Sequence, residues 1–520
     1  MAVTETTPTP SAPGSPEQTK TRQTGETERL LGSGDHTLIG RLYIGFSLIF
    51  LISSLIARIV VGIDTGTTNG LLGVYQQMVS NSATIGLIFL GVVPFLLGIA
   101  MLVVPLQIGA PAIAFPRAAA LSMWSWLVFA AVFVTSMAID GGIGGGDTDG
   151  ARLGNVAFGA ILIALAVGVT CVATTVITHR PEGMTLARVP LFAWSMLVAG
   201  AIWVTTIGAA IAFVLIAHLN NGGAADYFTN FATNLSWLLR GPAIFMLAIP
   251  ILGIAADVVV TATQRPLMDY KIVQALIGGY GVLSFGAWAV GNTAVNTFVW
   301  ALWAVLIALP ILGLLGAAME ALRHGKPRIN AALIGSLLSL CNLLGAVAIG
   351  LLMAINTAGS GTVFDFGPTA LASAQTVFVI AAAVTGGLAA MAYWSVKIWG
   401  TEANDKVATA SVALADIGGG LLATVLAVSV FVQGSGTTGE SLFGWLVAIC
   451  GLIFLCGVVT GVLFSIGSTD DDDAADVPEN PFDGVTLEWQ TPSPAEGAER
   501  TAELPAIENP YPLRSAKESS

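Results

Sequence analysis

Apolar residues arrive in long runs separated by short polar or Gly- and Pro-marked turns, at 38–61, 83–105, 121–139, 154–177, 190–217, 240–263, 271–291, 295–321, 329–355, 370–398, 407–433 and 441–467. A hydrocarbon core roughly 30 Å thick takes about 20 apolar residues per crossing helix. Each run therefore predicts one span, and the chain an all-α bundle of twelve transmembrane helices. Pro242 and Pro250 interrupt the sixth run. A span with interior prolines is expected to be kinked and packed inside the bundle, where neighbouring helices can satisfy the freed backbone groups.

Composition agrees: of 520 residues, 55% are hydrophobic and only 10% charged, and the mean hydropathy is +0.80. A soluble domain spends about a quarter of its residues on charge, so a water-soluble globule is excluded. The net charge of −12 is no acidic docking surface, because much of it lies in the two ends, from Glu5 to Glu28 and in the run Asp470 to Asp473. Residues 1–34 and 469–520 are rich in Pro, Ser, Thr and Gly and are expected to be mostly disordered, the second forming an acidic tail. The first of these segments lacks an apolar signal core. Insertion is expected to use the first span.

Basic residues set the expected orientation. Lys20, Arg22, Arg29, Arg41, Arg117, Arg180, Arg188, Arg265, Lys271, Arg323, Lys326, Arg328, Lys397 and Lys406 fall in the N-terminal segment or in alternate loops, against Arg152 and Arg240 on the other side. The positive-inside rule then places both termini in the cytoplasm.

The four cysteines, Cys171, Cys341, Cys450 and Cys456, lie inside apolar runs without close histidine partners and read as small buried hydrophobes. Gly141–Gly146 and Gly418–Gly420 lack the context of a phosphate-binding loop and fit turns and close helix packing. Nothing points to a nucleic-acid partner.

Several motifs carry a family resemblance. Asp35-His36-Thr37-Leu38-Ile39-Gly40 with Tyr43 resembles the start of the first helix of haem-copper oxidase subunit I. Val104-Pro105-Leu106-Gln107-Ile108-Gly109-Ala110-Pro111, followed by Phe115-Pro116-Arg117, is similar to the loop between that family's second and third helices. Arg180-Pro181-Glu182-Gly183-Met184-Thr185 with Pro190-Leu191-Phe192-Ala193-Trp194 resembles a further loop. Asn480-Pro481-Phe482 with Thr486-Leu487-Glu488-Trp489 resembles the tail of actinobacterial members. The pieces occur in the family's order, and twelve spans is its helix count.

The resemblance implies two haems and a copper held by six histidines, and this chain has four. His36, His179 and His324 belong to segments on the cytoplasmic side, and His218 ends the fifth span on the other. The family's first haem ligand falls at about Ala83, and its tenth-span pair at Ala374 and Thr376. Its His-Pro-Glu-Val-Tyr becomes Gly241-Pro242-Ala243-Ile244-Phe245, and its copper pair becomes Val290-Gly291. Proton-path positions hold Ala112, Ala119, Ala120 and Leu314, and the propionate-binding arginines have no counterpart near Val432–Gly434. No catalytic, cofactor-binding or metal residue is therefore assigned, and no cofactor is expected.

Arg58, Asp257, Glu320 and Asp416 are the ionisable groups left inside spans. Such residues are costly in lipid and are functional candidates by default; Asp416, ahead of Gly418–Gly420, is the one to test. The expected role is a catalytically silent subunit I-like protein of the bacterial plasma membrane, acting in assembly or regulation of a respiratory complex with subunits resembling oxidase subunit II or III. Arg117, Arg180–Arg188 and Thr486–Trp489 are its expected contacts. The alternatives are a true terminal oxidase subunit, and an ion or small-molecule carrier working through Asp416.

Overall fold

The computed structural model describes residues 33–67, 70–139, 147–219, 237–239, 241–267, 269–289, 297–358, 368–429, 437–466, 479–495 and 503–514. Val290–Gly291, Val432–Gly434, Arg240, Gly141–Gly146, Asp470–Asp473 and residues 1–32 lie outside them. Gly34–Ser520 forms one compact unit.

Twelve helices are long and apolar enough to cross a membrane, and no strand occurs among the described residues. They are α1 His36–Gly66, α2 Gly73–Gln107, α3 Pro116–Ala138, α4 Thr148–Thr178, α5 Leu191–Leu219, α6 Pro242–Thr263, α7 Tyr270–Ala289, α8 Thr297–His324, α9 Ala331–Ala358, α10 Pro368–Tyr393, α11 Asp405–Val428 and α12 Thr437–Ile466. The chain is an all-helical, multi-pass membrane protein.

Their starts follow from capping chemistry. Asp35 accepts from Thr37 N at the head of α1, Asp147 from Gly150 N at α4, Asp269 from Lys271 N at α7 and Asn404 from Lys406 N at α11. Each satisfies an amide that the first helical turn leaves unpaired. The tenth run stops earlier than its hydrophobicity suggests. Trp394 leaves helical geometry (φ −96°, ψ 17°) and the chain restarts as a one-turn helix, Ser395–Trp399.

Helices α12, α1, α3, α4, α5, α7, α8, α9 and α11 pack in sequence as an outer ring, with α2, α6 and α10 in contact with one another inside it. The most apolar windows of α2 and α6 are wholly buried, and that of α10 nearly so, whereas those of α1 and α3 are only one-third buried. The expected interior position of the Pro-bearing sixth span is confirmed. Pro250 cannot donate to the Met246 carbonyl one turn earlier, and the Trp203 indole of α5 donates to it instead at 2.8 Å. A π-helical segment, Gly86–Val92, interrupts α2 just before Pro94. There the Phe89 carbonyl accepts from Trp126 Nε1 at 3.2 Å. Close approach of α1 to α2 depends on two glycines, since a Cβ on Gly98 would sit 2.9 Å from the Gly40 carbonyl oxygen.

The C-terminal tail departs from expectation. Residues 479–495 and 503–514 are ordered against one end of the bundle, with Leu487, Glu488, Trp489, Ala495, Ile507, Tyr511 and Leu513 buried. Pro and acidic content predicted disorder, but Leu487, Trp489 and Tyr511 supply apolar area that the average composition of the tail conceals.

Candidate functional site

The middle of the bundle is filled by apolar side chains. Ala83, Ala243, Phe245, Ala374 and Thr376 are all buried. Phe245 lies 5.1 Å from the ring of Tyr280 and 6.1 Å from that of Trp303, distances typical of interacting aromatic pairs. The Thr376 hydroxyl is turned onto the backbone, within bonding distance of the Ala372 carbonyl (2.9 Å) and the Leu239 carbonyl (3.3 Å). Leu314 and Ala119 are likewise buried.

Histidine occurs only at helix ends. His36 is the first residue of α1, His218 and His324 lie in the last turns of α5 and α8, and His179 follows α4. Among the described residues, no three His, Cys, Asp or Glu side chains converge as a metal-binding group.

Each of the four intramembrane ionisable groups has a structural partner. Arg58 donates to Ser80 Oγ at 3.1 Å. Glu320 pairs with Arg265 at 3.1 Å and lies 3.3 Å from His324 Nδ1, at the end of α8. Asp257 of α6 caps the neighbouring helix α5, accepting from Leu191 N at 3.2 Å and Phe192 N at 3.0 Å. A carboxylate suits the electropositive start of a helix. Among the described residues Asp416 hydrogen-bonds only Asn342, whose Nδ2 donates to Asp416 Oδ1 at 2.6 Å.

The largest polar cluster was not legible as a site in the sequence. Gln107, at the end of α2, donates through Nε2 to Asp257 Oδ2 at 2.9 Å and to Glu488 Oε1 at 3.3 Å. Glu488 comes from the tail and is fully buried. Its Oε1 also receives Thr486 Oγ1 at 2.8 Å and Trp394 Nε1 at 3.3 Å, while its Oε2 and Gln107 Oε1 are buried with no hydrogen-bond partner among the described residues. Burial pushes the Glu488 carboxyl above its usual range.

Around the cluster the tail is strapped down. Lys397 is wholly buried, donating to the Thr491 carbonyl at 2.5 Å and Ser493 Oγ at 3.1 Å, and burial pulls its ammonium down to about 8. Arg41 donates to the carbonyls of Ile398 and Ala495, each at 2.7 Å. Arg188 reaches the Ile507 carbonyl at 2.9 Å, and Arg328 pairs with Asp483 at 2.9 Å. Thr486–Trp489 and Arg188 were expected as contacts for another subunit. The structure turns them onto the chain itself: Thr486–Trp489 is buried, and Arg180 bonds the Val176 and Met184 carbonyls. Arg117 is exposed.

Comparison with known proteins places this architecture. The sequence model described as Cytochrome C and Quinol oxidase polypeptide I matches residues 38–438. The chain is 25% identical over 403 residues to quinol oxidase subunit 1 of Bacillus subtilis, covering 72% of this chain and 61% of that protein. It is 25% identical over 510 residues to haem-copper oxidase subunit I+III of Aeropyrum pernix, covering 90% and 60%. To cytochrome c oxidase subunit 1 of Corynebacterium glutamicum it is 28% identical over 307 residues, covering 54% and 52%. The chain thus spans between half and two thirds of the length of these relatives. Twelve membrane helices and a match over most of them together show that the chain belongs to the cytochrome c and quinol oxidase polypeptide I family, the subunit I proteins of haem-copper oxidases.

Proposed function

We propose that this subunit I-like protein is catalytically silent and serves as a structural, assembly or regulatory subunit of a respiratory membrane complex. The supporting observation is the donor set. Haem iron and copper in this family need imidazole, and the positions that the resemblance assigns to those ligands hold Ala83, Ala374, Thr376 and Gly241, with the histidines at helix ends. The residues present do not fit haem or copper, and no chemical step is derived through either. A bundle that keeps the family's loops and tail in register, while its centre is apolar, retains shape and surface rather than electron or proton carriers. The same reading takes both termini as cytoplasmic; it is supported by the basic residues that bind the tail, Arg41, Arg188, Arg328 and Lys397.

An optical spectrum and metal analysis of the purified chain test the reading. The expected result is no Soret band and no stoichiometric copper. A spectrum with about one or two haems per chain, the family's complement, would overturn it and restore oxygen reduction as the activity. Gentle solubilisation should also recover the chain in a stoichiometric hetero-oligomer whose assembly fails when the chain is deleted.

A further inference from the structure

Asp416 is the twelfth of the 24 residues of α11, and Asn342 is the twelfth of the 24 residues in the span Ala331–Ala354 of α9. At 1.5 Å per residue both lie about 17 Å from their helix starts, near mid-bilayer. Asp416 is only half-buried. One of its oxygens takes the Asn342 amide at 2.6 Å, and the other takes no hydrogen bond among the described residues. Its surroundings open outward. Cys341 is exposed beside Asn342, and Ile417, Leu421 and Val428 form an exposed apolar stripe along α11.

Gly418, Gly419 and Gly420 divide the work of this stretch. A Cβ on Gly418 would collide with the Phe454 backbone, and one on Gly419 with Ala381, so these two serve packing within the bundle. A Cβ on Gly420 would meet only Asn342 Oδ1, at an ordinary 3.4 Å. No packing inside the chain requires that glycine, and it leaves a notch one turn from the carboxylate.

We propose that Asp416, Asn342 and the Gly420 notch form the docking site for one transmembrane helix of another subunit, carrying a Lys or Arg side chain at mid-depth. A carboxylate half-open to hydrocarbon is costly unless paired, and its complement at that depth is a donor of positive charge. One carboxylate and one amide provide too few oxygens to strip and hold a free divalent cation. The notch permits the close backbone approach that small residues give to helix pairs in lipid. The proposal rests on the subunit role inferred above and names the surface through which it operates.

The test uses the full chain in native membranes, with Cys456→Ser to leave Cys341 as the exposed thiol and a photo-reactive benzophenone side chain in place of Ile417. Illumination is expected to join Ile417 to a peptide from an apolar stretch that carries Lys or Arg within one turn. Asp416→Leu should lower that yield about three- to tenfold, the scale of one polar contact between membrane helices, and should unmask Cys341 to a lipid-soluble maleimide. Gly420→Leu, whose Cβ meets nothing closer than Asn342 Oδ1 at 3.4 Å, should do the same by filling the notch. Cross-linking to lipid alone, equal yields in both variants, or carbodiimide labelling of Asp416 in native membranes as a bare protonated acid would overturn the site. If the chain still purified with a stoichiometric partner after such a result, the docking site would fall and the subunit role would stand; a haem spectrum would remove the subunit role itself.

Discussion

Gln107 and Glu488, 381 residues apart in sequence, share a buried hydrogen bond of 3.3 Å that ties the tail to the end of α2. Through the same Nε2 group Gln107 holds Asp257, the cap of α5. The tail therefore plugs one end of the bundle with a side chain that the bundle's own polar groups require.

Replacing Glu488 separates its charge from its hydrogen bonds. Glu488→Ala leaves Thr486, Trp394 and Gln107 without their buried acceptor, which costs on the order of 1–3 kcal/mol. Glu488→Gln keeps an acceptor and removes the ionisable group, so its thermal midpoint in detergent should stay at or above that of the unaltered chain. A Gln variant as unstable as the Ala variant would show that the ionised form is needed.

Tail docking should depend on pH with two opposed slopes. Burial raises Glu488 above the ordinary 4.5, so the docked state holds more protons. Docking is then fully supported below 4.5 and weakens as pH rises through the raised value. Lys397 is depressed from 10.5 to about 8, so between those values the undocked state holds more protons and docking strengthens as pH rises. Hydrogen exchange of residues 486–495 followed across pH should show both limbs. Glu488→Gln should flatten the acidic limb and Lys397→Met the alkaline one.

Loss of the α5 cap should be felt at a distance. Asp257→Ala strands the Leu191 and Phe192 amides and frees Gln107, at a cost of about 1–3 kcal/mol. Asp257→Asn retains one acceptor and should lose less. Thermal unfolding of the purified variants orders them, and an Ala variant with no loss would contradict the capping role.

Deleting residues 479–520 should destabilise the membrane domain rather than merely shorten it. The buried Leu487, Trp489, Ile507, Tyr511 and Leu513 each contribute on the order of 1.5–3 kcal/mol when fully buried. A lower unfolding midpoint and faster proteolysis at the ends of α2 and α10 are expected. An unchanged midpoint would make the tail an ornament of the fold.

The spans, the all-helical class and the family were legible in the sequence, because a run of apolar residues long enough to cross lipid is a local property. Its few interior polar residues could be counted the same way, and so could its four histidines. Tertiary structure decided what the polar residues do. Asp257 read as an acid within a span and proved to cap a helix 66 residues away; Lys397 read as a loop charge and lies under the tail. Periodicity carries no record of such pairings, since each joins residues whose spacing along the chain is arbitrary. The tail was misjudged for a related reason: average composition predicts disorder, whereas a few apolar side chains at the right places, together with one buried carboxyl oxygen bonded by Gln107 and Trp394, hold it.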